Sequence, residues 1–315
     1  MRWRSLAAIA LSAAFAGGIS ASDRADARSG VAAKPAKIVY VNVGQGDGVV
    51  MRIGGKIIIS DTGEQFPEHV DETLRALKAK QIDVAILSHA HEDHVKNTIS
   101  LIRDFGWTIK LVVMSDSAWW EGTGTNRELM DLLREKKVPR VIATRGQTYD
   151  WGGASWRILN PPVHEFTGGA SQAANASVAY LLTVNGVQAL FTGDVEPKVG
   201  RRIAVELKPL LPRPVDVFLA THHGSKFGSV SELLDAIHPH WAVISAGAHN
   251  AFDHPAPETV SRLKASGASI WCTDTNGSIT ARISAAGRLS WRTSLQPAPW
   301  WSGRDQHENG TCNGR

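Results

Sequence analysis

Hydrophobic and polar positions along the chain alternate between two periods, and the switches between them predict the elements. Residues 37–43, 49–53 and 56–60 are short β-branched runs, the last two separated by Gly54-Gly55, and read as a strand followed by a hairpin. Residues 70–80 place apolar side chains at helical spacing, 82–87 form a mostly apolar strand, and 95–102 return to helical spacing. Beyond these the pattern predicts strands at 109–114, 141–143 and 154–159 and a helix at 127–136. Residues 168–175 are small and polar and read as a loop. Strands at 178–184 and 187–191 flank Asn185-Gly186, the strongest short hairpin signal. A helix at 196–207 has Pro197 in its first turn, where a missing N–H costs little. Strands at 215–220 and 241–245, helices at 230–237 and 258–265, and closing strands at 269–273, 279–283 and 289–292 complete the reading. These are β-rich, helix-containing halves that repeat once. They suit an α/β (α+β) four-layer αβ/βα sandwich in one domain, each sheet covered by its partner on one face and by helices on the other.

The stretch on which the chemistry turns is Ser88-His89-Ala90-His91-Glu92-Asp93-His94, between the strand at 82–87 and the helix at 95–102. Open α/β sheets place ligands at such junctions, outside the carboxyl ends of strands. In extended backbone residues i and i+2 point the same way, so His89 and His91 can share one ion. Asp93 and His94 lie past the bend and suit a second. Imidazole and carboxylate donors favour zinc, with manganese or iron as alternatives.

This loop resembles the metal loop of the metallo-β-lactamase-fold hydrolases. Further stretches narrow the likeness: Val43-Gly44-Gln45-Gly46-Asp47-Gly48, Ser60-Asp61-Thr62-Gly63, Asn175-Ala176-Ser177, Thr192-Gly193-Asp194, His222-His223-Gly224-Ser225 and Asp253-His254-Pro255. Together, over residues 37–291, they are similar to the soluble metallo-β-lactamase-like domain of the ComEC-type DNA-uptake proteins. The resemblance implies two divalent cations, Zn2+ or alternatively Mn2+, and hydrolysis by a metal-bound hydroxide without a covalent intermediate. It puts His89 and His91 on the first ion, Asp93, His94 and one of His222 and His223 on the second, and Asp194 between them. It assigns catalytic roles to Asp93, His223 and His254: the histidine of the pair that does not ligate could contact substrate or donate a proton, and His254 lies at the pocket rim. Asp61 is expected to orient the metal loop, and Asp47 to line the site or simply shape its turn. Many members of the fold have a histidine where this chain has Asn175. That departure, shared by ComEC-like members, implies a looser first site or an open position for substrate.

The other readings bound the function. The opening residues 1–21, basic and then small and apolar, read as a secretory signal peptide, with 22–36 as a linker, 37–292 as the hydrolase domain and 293–315 as a tail. Export to the periplasm or beyond follows, with no transmembrane part after cleavage. An oxidising compartment would allow Cys272 and Cys312 to pair. The net charge of +4 falls to +2 when the signal takes Arg2 and Arg4 with it, and so near-neutral a chain does not support long DNA contacts, which rely on many Lys and Arg. Lys198, Arg201, Arg202 and Lys208 are close in sequence and read as a solvated helix face. Trp119-Trp120 could wall a pocket, with packing the commoner role of adjacent indoles. The substrate implied is a phosphodiester, in nucleic acid or in a small molecule. Lactone or β-lactam hydrolysis, disfavoured by the missing third histidine, and a metal-dependent binding module without turnover are the alternatives. No protein partner is evident from the sequence.

Overall fold

The computed structural model describes residues 33–122, 124–162 and 170–294. The segment read as a signal, most of that read as a linker, nearly all of the tail and Cys312 lie outside the described residues. The first half runs β1 (Ala36–Tyr40), β2 (Gly48–Ile53), β3 (Lys56–Thr62), α1 (Pro67–Ala76), β4 (Val84–Ile86), α2 (Glu92–Arg103), β5 (Val112–Met114), α3 (Gly124–Glu135) and β6 (Arg140–Ile142). The second runs β7 (Thr148–Trp151), β8 (Ala154–Asn160), α4 (Ala170–Asn175), β9 (Ala179–Val184), β10 (Val187–Phe191), α5 (Pro197–Leu207) and β11 (Val217–Leu219). It continues through α6 (Ser231–Ile237), β12 (Trp241–Ile244), α7 (Pro257–Ala265) and β13 (Ser269–Cys272). Then β14 (Ile279–Ile283) and β15 (Leu289–Thr293) cross back to the first sheet.

Two mixed sheets result, one of eight strands in the order β15-β14-β1-β2-β3-β4-β5-β6 and one of seven in the order β13-β12-β11-β10-β9-β8-β7. Strand alternation divides their side chains among three cores. Ile38, Tyr40 and Met51 from the first sheet meet Trp156, Tyr180 and Phe191 from the second, filling the space between the sheets. Their neighbours in sequence, Val39 and Val50, point the other way and pack with Val95 of α2 and Leu129 of α3. On the far side Leu190 and Phe218 pack with Ile203, Leu233 and Leu263 of the helices. Three cores between four layers make an αβ/βα sandwich. Each fully buried aliphatic or aromatic side chain contributes about 1.5–3 kcal/mol, which is why a one-residue register slip is excluded.

The structure departs from the sequence pattern in several places. Residues 170–175 are helical, not a loop. β7 was not expected: its burial alternates weakly, with Thr148 and Asp150 exposed. α2 begins at Glu92, three residues earlier than the apolar spacing shows, because its first turn is polar and carries the chemistry. Trp119 and Trp120 lie in a 3₁₀ turn; Trp120 is buried and donates from Nε1 to Ser115 Oγ at 3.3 Å, and Trp119 packs against the same core. The indole pair is thus packing, not a pocket wall.

Candidate metal centre

Four loops at the carboxyl ends of strands converge on one point. The loop after β4 carries His89 and His91. His91 is the extended residue preceding α2, and Asp93 and His94 occupy that helix's first turn. The turn after β1 carries Asp47; Gly46 there has φ +122°, and an added Cβ would lie 2.0 Å from the Asp93 carbonyl oxygen. Only glycine lets this turn press on the start of α2, where the Asp47 N–H donates to Asp93 O at 3.2 Å. The turn after β10 carries Asp194, and the turn after β11 carries His222 and His223, both left-handed at φ 54° and 52°. Non-glycine residues in that region cost about 1–3 kcal/mol each, a strain that clusters at functional sites.

Asp194 is the hub. Its Oδ2 lies 3.3 Å from His94 Nε2, 3.4 Å from His223 Nε2, 3.5 Å from His222 Nε2 and 3.9 Å from His89 Nε2. Two groups could each hold a cation: His89, His91 and Asp194, and Asp47, His94, Asp194 and His223. Asp93 borders the second, 3.3 Å from His223 Nε2 and 4.0 Å from His94 Nε2. These are the residues that the sequence reading gathered. Of the adjacent pair, His223 is buried within the cluster, whereas the His222 side chain is 35% exposed at its edge.

Outer contacts fix which nitrogen faces inward. His94 Nδ1 donates to Asp61 Oδ2 at 2.9 Å, and the other Asp61 oxygen accepts the Ser88 N–H at 2.7 Å. His223 Nδ1 donates to the Ser245 carbonyl at 3.1 Å, with Asp47 Oδ1 at 3.3 Å on the same side. Ser177 Oγ spends its proton on Ala174 O at 2.6 Å and accepts from the Asp194 N–H at 3.1 Å. Towards His89 Nδ1, 3.3 Å away, it can therefore only accept. His94 and His223 therefore carry a proton on the outer Nδ1 and turn Nε2 to the centre, while His89 Nδ1 also meets Ser88 Oγ at 3.0 Å, a hydroxyl able to donate to it.

The donors fit divalent cations. His94 and His223 oppose their Nε2 atoms at 3.2 Å, and His89 Nε2 meets His91 Nδ1 at 2.9 Å. Bare nitrogens so close repel unless a proton or cation lies between them. Asp194 Oδ1 is buried with no hydrogen-bond partner among the described residues. Proton affinities trace the same demand for positive charge. Burial, the largest single effect, would lower His94 and His223, but the surrounding carboxylates together outweigh it, Asp194 first at both, then Asp93 and Asp61 at His94 and Asp47 at His223, and both rise well above the usual imidazole value. Asp194 is held well below the carboxylate range, its burial overcome by His223, His94 and His222. His89 and His91 go down, by burial and then by His94.

One expectation changes in detail. Asn175 does not reach the cluster: its Nδ2 donates to Glu196 Oε2 and its Oδ1 accepts the Glu196 N–H, both at 2.9 Å, which ties α4 to the start of α5. Ser177, two residues on, makes the contact with His89. His254 sits at the rim, its ring centroid 5.7 Å from that of His222, and its Nδ1 lies 3.4 Å from Gln45 Nε2. Burial and then the His223 and His222 charges push it down to about 4, so it is neutral at pH 7 and suits accepting a hydrogen bond. Ser88, Ser177 and Ser245 were not singled out from sequence; hydroxyls and carbonyls that orient histidines have no spacing signature.

Residues 41–249 match the family described as "Metallo-beta-lactamase superfamily", and the chain belongs to it. It is 26% identical over 266 residues to "ComE operon protein 3" of Bacillus subtilis, covering 78% of this chain and 33% of that one. It is 27% identical over 229 residues to "Recombination protein 2" of Haemophilus influenzae, covering 71% of this chain and 26% of that one. "Competence protein ComA" of Neisseria gonorrhoeae is 23% identical over 269 residues, 84% of this chain and 35% of that one. The chain thus spans about a third or less of the length of these relatives. Among solved structures, CmlA, a diiron β-hydroxylase from Streptomyces venezuelae, aligns at a TM-score of 0.50 with 16% identity over 75% of this chain and 52% of that one. That likeness is one of fold.

Proposed function

We propose that this superfamily member is an exported, metal-dependent phosphodiesterase acting in the periplasm or outside the cell. The observation that carries the reading is the convergence of His89, His91, His94 and His223 on one buried carboxylate, Asp194. Under it His89 and His91 hold one ion, His94, His223 and Asp93 the other, and Asp194 both. Two divalent cations in such a site supply a hydroxide nucleophile at neutral pH and neutralise charge that develops on the attacked phosphoryl group. The protein's share is orientation. Asp61 and Ser88 fix the metal loop, Asp47 and the Ser245 carbonyl fix His223, and the half-exposed His222 and His254 face the substrate side. There His222 is placed to donate to a phosphoryl oxygen or the leaving group, and neutral His254 to accept a hydrogen bond from a substrate donor. The ComEC-type relatives favour a phosphodiester; the absence of a third histidine on the first ion disfavours lactone and β-lactam hydrolysis. That same incomplete ligand set is what a binding module without turnover would show, and turnover decides between them.

The test is hydrolysis of bis-p-nitrophenyl phosphate by metal-loaded protein beside Asp194→Ala. Activity confined to the wild type supports the reading. Turnover of a lactone or chromogenic β-lactam in its place, or none on any ester with metal fully bound, contradicts it.

A further inference from the structure

The outer face of the eight-stranded sheet carries a row of cations that no stretch of sequence contains. Register puts Lys37 of β1 directly opposite both Arg52 of β2 and Arg282 of β14. Directly opposed residues share a face, so the three stand side by side across adjacent strands, about 4.8 Å apart. Two residues along, Arg292 of β15 lies opposite Thr280 on the same face, next to Val39. The face is the outer one, since Val39 and Val50 belong to the core under the helices. That core takes no residue from β14 or β15, leaving their outer face open beside α1. Two adjoining hollows of about 650 and 770 Å³ run along it, sharing Lys37, Ala76, Leu77 and Arg282, with Arg288 at one end and Arg292 at the other.

Among the described residues these cations have no ion-pair partner. Arg52 donates to Leu77 O at the end of α1, and no carboxylate among the described residues lies within ion-pair distance of Lys37, Arg282, Arg288 or Arg292. Glu72 is the acidic residue in the walls. Like charges directly opposite on antiparallel strands are destabilising, and an edge crowded with arginine on a near-neutral protein needs another reason. On α5, by contrast, the two arginines are engaged: Arg201 pairs with Glu232 and Arg202 reaches Asn160.

We propose that this groove binds the phosphate backbone of a nucleic-acid strand away from the metal cluster. Repeated, evenly spaced anions match a row of fixed cations, and arginine forks suit phosphate oxygens. The row lies towards the start of β1, whereas the turn bearing Asp47 follows its other end, so one strand of the ligand can be held while another part is presented to the cleft. The proposal deepens the phosphodiesterase reading and rests on it for its purpose, but binding itself needs no turnover.

The experiment is fluorescence anisotropy of a labelled single-stranded oligonucleotide with the full chain in chelator, so that hydrolysis cannot intervene, across a salt series. Lys37→Glu/Arg282→Glu/Arg292→Glu should weaken binding at least about 10-fold and reduce the salt slope by about 2, three lost phosphate contacts at ~0.7 each. The neutral Lys37→Gln/Arg282→Gln/Arg292→Gln protein should fall between, and Lys198→Glu on α5 should match wild type. Lys37→Glu alone should melt about 1–3 °C higher than wild type, because it relieves the row. Unchanged oligonucleotide affinity in the neutral variant, which keeps the fold free of new charge, overturns the proposal. So does capture of phosphatidylglycerol vesicles through these residues with no oligonucleotide bound. Oligonucleotide bound through the groove but never cleaved overturns the phosphodiesterase reading and leaves the groove standing.

Discussion

The two halves of the cluster share Asp194 and differ in what stands behind their histidines. Behind His94 is the Asp61 carboxylate, and behind His223 are the Ser245 carbonyl and Asp47; both rings are fully buried. Behind His89 are the hydroxyls of Ser88 and Ser177, and His91 is only partly buried. A carboxylate on the outer nitrogen raises the basicity of the inner one and locks the ring; a hydroxyl does less of both. The difference predicts a tight buried site and a loose open one, and it locates the looseness in support as well as ligand number.

Asp194→Ala removes what the halves share and has the largest effect. Both ions should be lost, and phosphodiester hydrolysis should fall at least about 10³-fold. Elemental analysis and a rate assay check this, and a variant that keeps both metals breaks the two-half description.

Acidity should separate the halves next. His94 and His223 are raised and carry protons near neutrality, so a cation there must displace them, and affinity rises with pH. For two displaced protons the change approaches about 100-fold per pH unit. His89 and His91 are lowered and already neutral, so the open half should stay flat down to the pH at which they titrate. Competition with a metallochromic indicator between pH 6 and 8 measures both. Parallel slopes would remove the asymmetry.

Much of this was legible in the chain and part was not. The local motif His89 to His94 shows itself because one strand end and one helix turn supply all four side chains. Asp194 and the His222-His223 pair follow from the order of motifs along the fold, yet the burial of His223 and its contact to Ser245, which separate it from His222, have no signature in the sequence. Strand alternation located nearly every sheet element. It failed at β7, whose side chains are half solvated, and at α4, whose small polar residues carry no periodicity. Charge shows the same limit: Lys198, Arg201 and Lys208 do lie on an exposed helix face, as their spacing implies, whereas Lys37, Arg52 and Arg282 become neighbours only through strand register.

Smaller substitutions sharpen the comparison. Asp61→Asn should weaken metal binding in the buried half by about 10–100-fold and leave the open half unchanged. Ser177→Ala should weaken only the open half, by less than about 10-fold, since a neutral hydrogen bond is worth about 1 kcal/mol. Titration calorimetry of each variant reads the two sites apart. Equal losses in both halves would mean that they act as one unit.

Under the proposed function one carboxylate, Asp194, joins a tight and a loose cation site. Anomalous diffraction from crystals first saturated with metal and then washed with a weak chelator tests it most directly. About two ions per chain are expected before the wash. Afterwards one should remain, between Asp194, His94 and His223. Retention on His89 and His91 instead, or no ion at Asp194 under either condition, would contradict it.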